Sequence, residues 1–90
     1  MFVIEDELHA EWQGQYHTRK DAIHELKRRS EIPWDSDPNQ APCMSWRTCG
    51  RKYILLQYDD SLTPAKQIER VLALEISASG VIWHLTSDSY

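Results

Sequence analysis

At 90 residues the chain is the size of one domain, 1–90, with one core, and a chain this short buries roughly two-thirds or less of its unfolded surface. No apolar run approaches the ~20 residues that span a bilayer. The start, MFVIEDELHAEW, is acidic, without the basic end and long apolar stretch of a secretory signal, so a soluble cytoplasmic protein off the membrane is expected. A formal charge of −4 disfavours generic phosphate-backbone binding, which needs a basic surface to displace counterions.

Phe2 to Ile4 is a short apolar run that suits a buried strand. From Leu8 to Tyr16 apolar and polar residues alternate: Leu8, Ala10, Trp12, Gly14 and Tyr16 against His9, Glu11, Gln13 and Gln15. Period two with one apolar face predicts a half-exposed strand. Glu5 to Glu7 then form the turn between the two strands.

Thr18 is placed to cap a helix, and Asp21, three residues on, suits both the capping spacing and the positive end of the helix dipole. Ala22, Ile23 and Leu26 supply the apolar stripe. Lys27, Arg28 and Arg29 fall at the C-terminal end, where cations are favoured, and Pro33 ends the helix. The basic cluster thus has a structural explanation that requires no ligand.

The segment from Ile32 to Arg51, IPWDSDPNQAPCMSWRTCGR, has neither period. Long irregular connections in small domains are functional or disordered, and disordered segments are poor in aromatics. Trp34 and Trp46 therefore predict a loop that packs onto the domain.

YILLQY, Tyr53 to Tyr58, is apolar on both faces and predicts a central strand covered on both sides, or on one side plus the loop. Asp59, Asp60 and Ser61 form a turn. Residues 64–70 fit two periods: Thr63–Pro64 is a good helix start, yet Ile68, Leu72, Leu74, Ile76 and Ala78 keep strand parity. The expectation is a helical turn at Pro64 to Gln67 and strand from about Val71. LEISASGVIWHL reads as two strands joined at Ser79–Gly80. The whole predicts an α+β fold in ββαβββ order: a mostly antiparallel sheet of about four to five strands, one main helix on one face, and the long loop.

Cys43 and Cys49 have neither the CxxC spacing of redox enzymes or zinc knuckles nor the CxxxxxR spacing of cysteine phosphatases. His9, His17, His24 and His84 are isolated, so the four ligands of a structural zinc site are not assembled in sequence. Free thiols are expected, with a disulfide, a metal-bound pair or a redox pair as alternatives. No Ser–His–Asp order, HExxH, EF-hand or glycine-rich phosphate loop occurs, so no enzyme activity and no cofactor are expected.

The candidate binding residues are Trp34, Trp46, Arg47, Arg51 and Lys52. A guanidinium can stack on an indole, and Arg47 with Arg51 would make a fork for a carboxylate or phosphate. Gly50 offers a positive φ or a close ligand approach. In the competing reading the tryptophans complete the core and the arginines pair with Asp35, Asp37 or Asp59. The leading function is a non-catalytic binding or regulatory module that meets a protein partner through this loop or a sheet edge. The alternatives are a single-stranded nucleic-acid binder using Trp46 with Arg47, Arg51 and Lys52, and a thiol-based redox protein using Cys43 and Cys49. A homodimer is compatible with all three.

Overall fold

The computed structural model describes residues 1–40 and 50–85. Among them five strands form one antiparallel sheet in the order β2-β1-β3-β4-β5: β1 Phe2–Asp6, β2 Glu11–Tyr16, β3 Arg51–Asp59, β4 Lys66–Ser77 and β5 Gly80–Trp83. One helix, α1 Arg19–Ser30, follows β2. The expected α+β architecture and element order are thus observed.

The helix begins as its sequence dictates. Thr18 is extended and its hydroxyl accepts from the Asp21 N–H at 3.1 Å, satisfying one of the otherwise orphaned donors of the first turn. Ala22, Ile23 and Leu26 are buried against the sheet. Below them Ile4, Tyr53, Leu55, Ala73, Leu74, Ile76 and Leu85 form the main core, with Trp34, Tyr16 and Trp83 packed at its margin. The packing expected of Trp34 is observed.

Successive residues of β3 serve opposite faces of the sheet, as the pleat requires. Arg51, Tyr53 and Leu55 face the helix. Ile54 and Leu56 point away and join Val3 in a second buried cluster, bordered by Met1, Tyr58 and Leu72. The doubly apolar YILLQY segment therefore reflects a central strand with a cluster on each side.

Two boundaries differ from the sequence reading. The strand expected over 8–16 begins at Glu11, while Glu5 and Asp6, expected in the turn, belong to β1. The alternation is also not one face. Ile4 pairs with Gly14 but Glu5 pairs with Trp12, so Gln13 is an extra residue on β2. A bulge of this kind reverses which side chains share a face, and it puts Trp12 opposite to Tyr16.

The second difference is β4, which starts at Lys66 where a helical turn was expected up to Gln67. Two irregularities in its pairing with β3 leave Ile68 and Ala73 as extra residues. Leu72 consequently faces Ile54, on the side away from the helix, whereas Leu74 faces Tyr53 on the helix side. The mixed spacing of apolar residues in this segment is the pattern of a twice-bulged strand.

Candidate interaction surface

The predicted site residues do not converge on a ligand cradle. Arg51 is 6% exposed, and its guanidinium is turned into the domain. Nη1 donates to the Asp6 carboxylate at 3.0 Å and to Glu11 at 3.3 Å, Nε to the Asn39 carbonyl at 3.3 Å, and Nη2 to the Gln40 carbonyl at 2.8 Å. Its partners are Asp6 and Glu11 rather than Asp35, Asp37 or Asp59. As one arm of an anion fork Arg51 is already occupied, because a buried guanidinium bonded to two carboxylates and two carbonyls has little left to offer a ligand. Lys52, the next residue on β3, faces the opposite side and meets Glu7 at 3.4 Å. The expected grouping of Arg51 with Lys52 is broken by the pleat. Cys43, Trp46, Arg47 and Cys49 lie outside the described residues.

Arg51 belongs to a buried polar network that sequence reasoning did not identify. Asp6 is fully buried. Its Oδ1 accepts from the Leu8 and Lys52 N–H groups at 3.1 and 3.0 Å, and its Oδ2 takes Arg51 and His9 Nδ1, the latter at 2.5 Å. Asn39, also fully buried, donates to the carbonyls of Arg29 at 2.8 Å and Ile32 at 2.9 Å and accepts from the Tyr53 hydroxyl at 3.0 Å. It thereby ties the end of α1, the start of the long connection and the centre of β3 together. Arg29 crosses the Tyr53 ring at 5.1 Å and binds Glu25 and Gln13. Burial pushes the Tyr53 phenol above its ordinary value of 10.0. Among the described residues every buried side-chain N or O atom has a partner, as a stable polar interior requires.

Gly50 serves this framework as well. A Cβ there would lie 2.0 Å from the Ile76 carbonyl oxygen and 2.9 Å from the Ser77 Cα. The close approach that suggested a ligand is made by the backbone of β4.

The remaining histidine and cation groups are dispersed. His84 Nε2 meets Glu75 at 2.6 Å on an exposed part of the sheet. A groove of about 430 Å³ runs along α1 between Lys20, Ile23, His24 and Lys27, and Arg28 beside it is held by both oxygens of Glu25 at 2.8 Å. No group of three or more metal-ligating side chains occurs among the described residues, and no helix there is long and apolar enough to cross a membrane.

The two edges of the sheet are unlike each other. At one edge β2 carries the bulge at Gln13 and the polar residues Glu11, Gln13 and Gln15, features that discourage pairing with another strand. At the other edge β5 reads Gly-Val-Ile-Trp, without a charge, a proline or a bulge. Val81 is 46% and Ile82 56% exposed. Val81 stands opposite Ile76 on the helix side, and Ile82 stands opposite Glu75 on the other. Among the described residues each face of this edge thus presents one exposed apolar side chain, Val81 on the helix side and Ile82 on the other.

Among the described residues the backbone of β5 pairs on one side only, with β4. Ser77 pairs with Gly80 and Glu75 with Ile82, and the His84 N–H continues the ladder to the Ala73 carbonyl at 2.9 Å. Hydrogen-bonded positions alternate along an antiparallel pair. Val81 and Trp83 consequently turn their main-chain N–H and C=O groups outward, away from β4.

Compared with protein-family models, with curated proteins and with solved structures, the chain has no match.

Proposed function

We propose that this chain is a non-catalytic protein-binding module whose contact surface is the open β5 edge. The observation that carries the reading is the asymmetry of the sheet. One edge is bulged and carries Glu11, Gln13 and Gln15 beside an exposed Trp12, and the other is an unbulged, uncharged strand with Val81 and Ile82 exposed. A bare apolar strand edge recruits an extended segment of another chain: main-chain hydrogen bonds supply affinity and alternate side chains supply selectivity. The buried Asp6–Arg51 and Asn39–Tyr53 contacts support this role by holding the sheet as a fixed template. The single-strand nucleic-acid reading draws no support from Arg51 or Lys52, whose charges are turned to Asp6, Glu11 and Glu7.

The test is a photo-crosslinking residue placed at Val81 in the cells that make the protein, with the exposed helix position Lys20 as control. A protein adduct at Val81 that is absent at Lys20 is expected. Adducts at Lys20 with none at Val81 would move the surface to the helix and end the edge reading.

A further inference from the structure

We infer that the occupant of this edge is β5 of a second copy of the same chain, paired antiparallel about a two-fold axis through Ile82. The inference rests on the edge reading above and adds the identity of the partner. Three features of the strand argue for it.

The first is register. Val81 and Trp83 are the residues whose main-chain groups face outward. Setting Val81 opposite Trp83 of the second copy makes each of them exchange both hydrogen bonds with the other. The symmetry then repeats the same pair on the far side of the axis. An isologous two-fold contact requires this self-complementarity, and it is the commonest form of oligomer interface.

The second is side-chain matching. In that register Ile82 meets its own copy on the axis, on the face away from the helix. Val81 meets Trp83 on the helix side, a β-branched residue against an aromatic, which is a favourable cross-strand pair. Gly80 falls opposite His84, and the space beside Gly80 is open, with nothing within 4 Å of a Cβ built there. The imidazole is thus accommodated without a clash.

The third is charge. Each copy carries −4, which opposes association at most surfaces. The strand itself has no charged residue. The groups flanking Ile82 on its face are Glu75 and His84, already joined to each other at 2.6 Å. Charge repulsion is therefore least at the edge where the apolar groups are exposed. The pairing also removes the hazard that an unguarded strand poses.

Sedimentation equilibrium on the full chain tests the proposal. The wild type is expected to approach twice 10.6 kDa as concentration rises. Ile82→Lys and Ile82→Glu are each expected to sediment as single chains, because like charges would meet on the axis. An equimolar mixture of the two is expected to restore the doubled mass, since the introduced ammonium and carboxylate then face each other. Trp12→Glu, at the opposite edge, is expected to keep the doubled mass, and circular dichroism checks that each variant is folded.

A wild type that stays at 10.6 kDa at every concentration would overturn the inference. So would a doubled mass that survives either Ile82 substitution or is abolished by Trp12→Glu. If the wild type is a single chain and the residue at Val81 still traps a different protein, the second copy is wrong and the edge reading stands. If it is a single chain and nothing is trapped at Val81, both fail.

Discussion

The Asp6 carboxylate and the Arg51 guanidinium meet at 3.0 Å inside the domain, 45 residues apart in sequence. Asp6 ends β1, Arg51 begins β3, and the same guanidinium holds the carbonyls of Asn39 and Gln40. The contact therefore joins the long connection to the centre of the sheet. Removing one partner strands a buried charge, which costs about 3–5 kcal/mol. Asp6→Asn and Arg51→Met are each expected to lose that much in urea unfolding. The double variant is expected to lose clearly less than the sum of the two. Strict additivity would show that the pair is not coupled.

Asn39 is expected to be as sensitive although it bears no charge. Asn39→Ala removes the side-chain partner of the Ile32 carbonyl and the Tyr53 hydroxyl, while the Arg29 carbonyl keeps the Ile32 N–H at 3.1 Å. Each buried polar group left unmade costs about 1–3 kcal/mol, so the variant should melt well below the wild type. Tyr53→Phe removes one of these bonds alone and should cost about 1 kcal/mol. A melting temperature unchanged in Asn39→Ala would rule out this anchoring role.

Gly50→Ala is expected to be destabilising by about 1–3 kcal/mol, the range for overpacking a filled site. The obstacle is backbone, the Ile76 carbonyl oxygen at 2.0 Å from the added carbon, and it cannot rotate away as a side chain would. Thermal unfolding followed by circular dichroism measures the loss. A tolerated alanine would mean that β3 and β4 separate readily at this point.

Stability is expected to fall at both ends of the pH scale for separate reasons. The hydrogen bond from Arg28, helped by Arg29, holds Glu25 below its ordinary value of 4.5. The unfolded chain therefore binds this proton more readily, and the stabilisation is present above about that pH and is lost as pH falls through the lowered value. Burial raises Tyr53 above 10.0, so its contribution is present below that pH and disappears as pH rises through the raised value. Glu25→Gln should flatten the acid limb of a stability–pH curve, and Tyr53→Phe should flatten the alkaline limb. Unchanged limbs would place the titrations elsewhere.

The helix and the central strand were legible in the sequence because their determinants are local. Thr18 and Asp21 lie within one turn of each other, Ala22, Ile23 and Leu26 keep helical spacing, and Tyr53 to Leu56 is an unbroken apolar run. The faces of β2 and β4 were not legible. One bulge at Gln13 separates Trp12 from Tyr16, and the extra residue Ala73 separates Leu72 from Leu74. A bulge is chosen by how two strands fit each other, and period-two counting within one strand cannot detect it.

The candidate site divides in the same way. Sequence alone determined that the chain would make one helix on a mostly antiparallel sheet, that Trp34 would pack onto it, and that no familiar catalytic spacing was present. Only the tertiary structure decided that Arg51 turns inward to Asp6, that Lys52 lies on the other face, and that β5 is the last strand of the sheet among the described residues. Helix caps and apolar periods are written in residues a few positions apart. Charge pairing and edge exposure depend on which distant strands become neighbours, and that is settled when the sheet assembles in the order β2-β1-β3-β4-β5.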